Sequence, residues 1–113
     1  MKQILKSKIH RATITGTNSE YMGSIIIDKA LMEKSGIIKF EKVLICNVTN
    51  GNRWETYVIE GEENSGKVEA QGAGAKLCKK GDIVIILSFE ITDKSPEPKM
   101  ILVDKENKFK RFL

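Results

Sequence analysis

Apolar residues along this chain fall in short, mostly alternating runs rich in Ile and Val, and Gly breaks them often. That pattern predicts strands, because β-branched side chains suit a pleated, half-buried surface. Ile4 to Thr15 reads as an opening strand and Ile25-Ile26-Ile27 as a short second one. Asp28 suits the N-cap of a one- to two-turn helix, Lys29 to Lys34, with Gly36 at the C′ position. Val43 to Val48 and Arg53 to Glu60 read as strands joined at Asn50-Gly51, a hairpin signal because both residues tolerate positive φ. Glu62 to Gly66 is a polar loop and Val68 to Ala70 a brief strand. Gly72-Ala73-Gly74-Ala75 brings little side-chain bulk, and Gly81-Asp82 turns the chain into a predicted buried strand, Ile83 to Ile91. Asp93 to Pro98 is a loop and Met100 to Val103 a last strand. Asp104 to Asn107 then turns toward a solvated basic end, Lys108-Phe109-Lys110-Arg111. No repeat, low-complexity tract or linker interrupts this order, so residues 1–113 are expected to form a single domain. Many short strands with one or two short helices predict a mainly β fold, a small closed barrel, since closure removes free strand edges.

Composition narrows the setting. Hydrophobic residues make up 41% and charged residues 30%, which supports a packed core and argues against disorder. The longest apolar run, Ile83 to Leu87, is strand length and far short of the ~20 residues that span a bilayer. Lys2, Lys6 and Lys8 interrupt any signal-peptide core, so a cytoplasmic protein without a membrane partner is expected. Cys46 and Cys78 lie far apart with one His in the whole chain, which reads as two reduced thiols and no metal site. The net charge of +4 is spread along the chain and favours a small anionic substrate. A basic barrel on nucleic acid is the rival reading of that charge. The one Trp, two Tyr and four Phe are too scattered for a base-stacking platform, so no nucleic-acid partner is expected.

The candidate chemistry centres on Gly23-Ser24, within Tyr21-Met22-Gly23-Ser24-Ile25. Glycine adopts backbone angles closed to other residues, and a serine hydroxyl beside a strained carbonyl can attack it, turning the amide into an ester. Charge then develops on the glycine oxygen, and the Thr56 hydroxyl is a candidate donor to it. Elimination of the ester leaves dehydroalanine, which hydrolyses to a pyruvoyl group and ammonia. Taken alone, the dipeptide reads as a plain turn between strands.

Four segments in one order change its weight. They are Lys8-Ile9-His10-Arg11-Ala12-Thr13-Ile14-Thr15, Tyr21-Met22-Gly23-Ser24, the run from Asn47 to Tyr57 (Asn-Val-Thr-Asn-Gly-Asn-Arg-Trp-Glu-Thr-Tyr), and Gly72-Ala73-Gly74-Ala75 followed by Gly81-Asp82-Ile83-Val84-Ile85. In that order and spacing, from about Lys6 to Val103, the chain resembles the pyruvoyl-dependent aspartate 1-decarboxylases. The resemblance implies a six-stranded double-psi β-barrel, a homotetramer with active sites between subunits, and β-alanine production for pantothenate synthesis. It also implies a zymogen that cuts itself between Gly23 and Ser24 into a β chain, residues 1–23, and an α chain, residues 24–113.

The same resemblance assigns roles. Ser24 becomes a covalent pyruvoyl group, and neither a metal nor pyridoxal phosphate is implied. That group forms a Schiff base with L-aspartate and accepts the electrons released as CO₂ leaves. Tyr57 matches the proton donor. Arg53 matches the residue that pairs with a substrate carboxylate, and Lys8 a second basic residue of the site. Thr56 matches a residue used in both processing and substrate contact. Gly72, Ala73 and Gly74 match a small-residue segment that lets backbone approach the ligand, and His10 has a supporting place. Gln71 stands where the family usually has Asn, and Gly74 where it usually has Ala. A maturation factor is an expected partner if cleavage does not run unaided.

Overall fold

The alternating Ile/Val runs do form strands, and Gly and Asn residues sit at the breaks between them. The computed structural model describes residues 1–113. In chain order the strands are β1 (Lys2–Thr13), β2 (Gly16–Asn18), β3 (Ile25–Asp28), β4 (Lys42–Asn47), β5 (Arg53–Gly61), β6 (Val68–Gln71), β7 (Ile83–Thr92), β8 (Lys99–Val103) and β9 (Phe109–Phe112). Helix α1 (Lys29–Ser35) follows β3, and a 3-10 turn (Gly72–Lys76) follows β6.

The hydrogen-bonded order is β2-β6-β3-β5-β4-β7-β1-β8-β9. Its ends meet through the chain itself, because β2 continues β1 after only Ile14 and Thr15. Thr15 N–H donates to the Val68 carbonyl at 2.8 Å, so the β1–β2 stave reaches β6 and closes the ring. The ring therefore has six staves, the β1–β2 stave with β6, β3, β5, β4 and β7, while β8 and β9 lie beyond β1. This is the six-stranded barrel expected. Its interior holds one apolar cluster that includes Ile9, Ile14, Ile25, Ile27, Val43, Ile45, Val58, Val68, Val84 and Ile86.

Three details differ from the sequence expectation. First, the opening strand is not regular. Ser7 and Ile9 point inward, and so do Ala12 and Ile14, a change of phase that period-2 alternation forbids without an extra residue. The bulge supplies it: His10 and Arg11 lie between the pairs Ile9–Ile86 and Ala12–Val84, and Arg11 takes φ +65°. Second, Asn50-Gly51 is not a tight two-residue hairpin. The ladder ends at Cys46–Arg53, leaving a longer loop in which Gly51 has φ +81° while Asn50 stays out of the positive-φ region. Third, the basic end is solvated as expected but forms a strand. β9 pairs with β8, and Phe109 packs against the core under the Lys34 ammonium, 4.7 Å from its ring centroid.

Helix α1 follows its capping signals. The Asp28 carboxylate accepts from Ala30 N–H at 2.8 Å, and Gly36 closes the other end at φ +79° with its N–H on the Met32 carbonyl.

Candidate active site

The Gly23–Ser24 segment enters β3 in an unusual backbone. Gly23 has φ +120° and Ser24 has φ +92°, a region a serine rarely occupies and one that costs on the order of 1–3 kcal/mol. Ser24 as a residue is only 5% exposed. Two neighbours hold this geometry. Gln71 N–H donates to the Ser24 carbonyl at 3.0 Å. Gly72, at φ +68°, backs onto Gly23 so closely that a Cβ there would lie 2.7 Å from Gly23 Cα and 2.8 Å from Gly23 N. A side chain at position 72 would push the strained bond out of place, which gives the small-residue segment a physical reason.

β5 supplies the facing groups. β3 and β5 run parallel with Ile25 beside Val58. The ladder begins at that pair, so Gly23 and Ser24 lie just ahead of it, at the Tyr57 end of β5. A Cβ at Gly23 would lie 3.9 Å from the Tyr57 hydroxyl, so the phenol overlooks the Gly23–Ser24 bond, and Phe40 flanks its ring with 6.3 Å between centroids. Thr56 is half-buried on the inward side of the same strand. One chain thus brings together Gly23, Ser24, Tyr57 and Gly72, while Thr56, paired with Val43, precedes Tyr57 on β5.

The cationic residues are placed elsewhere. Arg53 begins β5 and shares the outward face with Tyr57, four residues and roughly 13 Å along the strand. Lys8 and His10 lie on β1, and β4 and β7 separate that strand from β5, a path of about 14 Å along the curved sheet. Lys8, Arg11 and Arg53 make no ion pair. His10 has a buried Nδ1 without a hydrogen-bond partner, and burial followed by the Lys8 and Arg11 charges pushes its pKa below the usual histidine value. A single chain therefore gathers Gly23, Ser24, Tyr57 and Gly72 and leaves the basic residues apart from them.

Ala73 is exposed, and Gly74 meets a residue that the sequence reading did not single out. A Cβ at Gly74 would lie 2.5 Å from Trp54 Nε1, so Trp54 occupies the space that glycine frees. The signal was available, since this is the only Trp in the chain and it stands between Arg53 and Thr56. Gln71 is likewise more than a replaced Asn. Its side chain is 95% buried, its Nε2 donates to Glu69 at 3.2 Å, and its Oε1 has no partner.

Relatives with established names share this architecture's sequence. The chain is 52% identical over 113 residues to an aspartate 1-decarboxylase from Clostridium botulinum (strain Loch Maree / Type A3), covering 96% of this chain and 89% of that one. It is 51% identical over 109 residues to the aspartate 1-decarboxylase of Thermoanaerobacter pseudethanolicus, with 93% of each chain covered. It is 49% identical over 107 residues to that of Haloquadratum walsbyi, covering 93% of this chain and 92% of the relative. The sequence model described as aspartate decarboxylase matches residues 1–110. By near full-length match and by identity close to one half, this chain belongs to the aspartate decarboxylase family.

Proposed function

We propose that this protein decarboxylates L-aspartate at C1 to β-alanine and CO₂, using a pyruvoyl group made from its own Ser24. The observation that carries the proposal is the buried, positive-φ Gly23–Ser24 bond with Tyr57 over it and Gly72 against it. In processing, Ser24 Oγ attacks the Gly23 carbonyl carbon, the peptide C–N bond breaks, and the hydroxyl proton ends on the freed amine. Loss of the Ser24 Cα proton then expels the Gly23 carboxylate, and water replaces the nitrogen, which leaves as ammonia. Thr56, next to Tyr57 on β5, is the assigned donor to the developing oxyanion.

The residues present fit a keto group at position 24. Its neighbouring carbonyl already has a donor in the Gln71 N–H, and the backbone of Gly72 leaves room beside it. When formed, the group supplies an electrophile for the substrate amine and a sink for the electrons of the departing carboxylate. Tyr57 then delivers the proton that completes the exchange of CO₂ for hydrogen, and Arg53 and Lys8 hold carboxylate charge. The positive field of the unpaired Lys8, Arg11 and Arg53 suits a substrate with two carboxylates and a net negative charge.

Arg53 and Tyr57 on one strand and Lys8 on another, about 14 Å away along the curved sheet, form one site only if a second copy supplies part of it. The outer sheet face supports assembly. β4 and β7 are apolar on both sides, with Val43, Ile45, Val84 and Ile86 inside and Leu44, Cys46, Ile85 and Leu87 left half-exposed outside. Strands that are apolar on both faces are normally covered on both. We place the active sites at these contacts in a homotetramer, in the cytoplasm, as part of β-alanine supply for pantothenate synthesis. No helix of the chain is long and apolar enough to cross a membrane.

Intact mass of the purified protein tests the proposal. Two fragments, residues 1–23 and a 24–113 fragment lighter by one ammonia than a Ser-started chain, are expected. Ser24→Ala should give a single folded, inactive chain. A wild-type chain that stays whole and inactive, even after heating or co-expression with a maturation factor, sinks the proposal.

A further inference from the structure

At the loop between β4 and β5, whose Val48 and Thr49 hydrogen-bond to Ile83, three side-chain amides converge on one backbone acceptor. Asn47, Asn50 and Asn52 each point a side-chain amide at the Leu77 carbonyl, with Nδ2–O distances of 3.3, 3.1 and 3.1 Å. Leu77 caps the C-terminus of the 3-10 turn Gly72–Lys76, whose first residue presses on Gly23. A carbonyl has two lone pairs, so three donors saturate it. Asn47 is the buried root of the arrangement. It also donates to Asp82 at 2.9 Å, and its own Oδ1 accepts from Thr49 N–H at 2.9 Å. Asn50 and Asn52 are exposed and bound to each other, Asn50 Oδ1 accepting from Asn52 N–H at 2.8 Å. Exposed asparagines contribute little to a core, so a threefold convergence on one acceptor calls for another reason.

Arg53 follows Asn52 directly, and Trp54 then packs on Gly74. We infer that Asn50 and Asn52 are positioning residues for Arg53: through the Leu77 carbonyl they lock the start of β5 to the turn that supports Gly23–Ser24. The inference rests on the proposed role of Arg53 in holding substrate carboxylate. A loop free to shift carries the guanidinium away from its bidentate geometry, which weakens binding while the Tyr57 and Ser24 chemistry stays in place.

The test uses the full-length, self-processed protein with both asparagines replaced, Asn50→Ala/Asn52→Ala, and Asn47 kept so that the loop retains its buried root. Cleavage by intact mass should be complete and kcat within about twofold, while KM for L-aspartate rises about five- to tenfold, the equivalent of one or two weakened hydrogen bonds. In an Arg53→Ala background the same pair should add almost nothing to KM, because the residues act through the side chain already removed. A merely structural loop tie predicts the same penalty in both backgrounds, and that result overturns the inference. So does an unchanged KM in the double variant beside a raised KM in Arg53→Ala. An unchanged KM in Arg53→Ala itself overturns the binding reading and this inference with it. The single variants Asn50→Ala and Asn52→Ala carry the same comparison if the double variant does not fold.

Discussion

Ser24 and Tyr57 divide the work at the smallest scale. Ser24 sits in backbone strain that only its neighbours maintain, Gln71 N–H on one side and the side-chain-free Gly72 on the other. Tyr57 stands over the same bond, and the proposed chemistry gives it no part in breaking it. Tyr57→Phe should therefore cleave normally and lose about 10²- to 10⁴-fold in kcat, the usual worth of a positioned acid. Unchanged turnover in that variant would remove the proton-donor assignment. His10 gives a different, pH-dependent signal. Burial and the Lys8 and Arg11 charges lower its pKa below 6.5 in the folded protein, while the unfolded chain keeps the ordinary value. Above about pH 6.5 neither state takes the proton, and stability is complete. As pH falls below that value, the unfolded state binds the proton first and stability drops, until the depressed native pKa is passed. Melting curves at about pH 7 and about pH 5, at one protein concentration, should show a smaller loss for His10→Gln than for wild type. An equal loss in both proteins would show that His10 does not carry the acid sensitivity.

Among the elements, α1 and its surroundings depend on one carboxylate. Asp28 is buried and accepts not only from Ala30 N–H but also from Asn64 and Gly66 N–H, each at 2.8 Å. It caps the helix and pins the 62–66 loop at once. Asp28→Ala leaves three backbone donors without their acceptor and should cost about 3 kcal/mol or more in urea unfolding. Loss of less than about 1 kcal/mol, the ordinary worth of a helix cap, would mean that the loop contacts contribute nothing. The cap was legible because Asp before an apolar helical run is a local signal. The loop contacts were not, because Asn64 and Gly66 lie 36 and 38 residues away. The β1 bulge was half-legible, written in the shift of apolar phase between Ile9 and Ala12. β9 was hidden by its charge: Lys110 and Arg111 read as solvated, and only Phe109 touches the core.

For the whole molecule, the proposed contact between copies accounts for both the dispersed site and the half-exposed apolar outer face. If Lys8 of one subunit completes the site that holds Tyr57 of another, two inactive variants can repair each other. Co-expressed Lys8→Ala and Tyr57→Phe chains should form mixed tetramers that recover activity in up to about a quarter of sites. Each variant alone should remain low. No recovery from verified mixed tetramers would place the complete site within one subunit. The Ile85→Glu change should give folded, dissociated chains by sedimentation, since a charge in a covered apolar face opposes assembly.

By itself the sequence determined the β-rich class, the helix and its caps, the Gly23–Ser24 pair and the family. All of these rest on local patterning or on residues close in the chain. The tertiary structure decided what local pattern cannot encode. It showed that β2 continues β1 to close the ring, that Tyr57 faces Gly23 and that Gly72 needs to be bare. It also showed that three asparagines share one carbonyl and that Lys8 stands across the sheet from Tyr57. These follow from strand order and register, which are set when distant apolar faces find their common core, and no stretch of neighbouring residues specifies them.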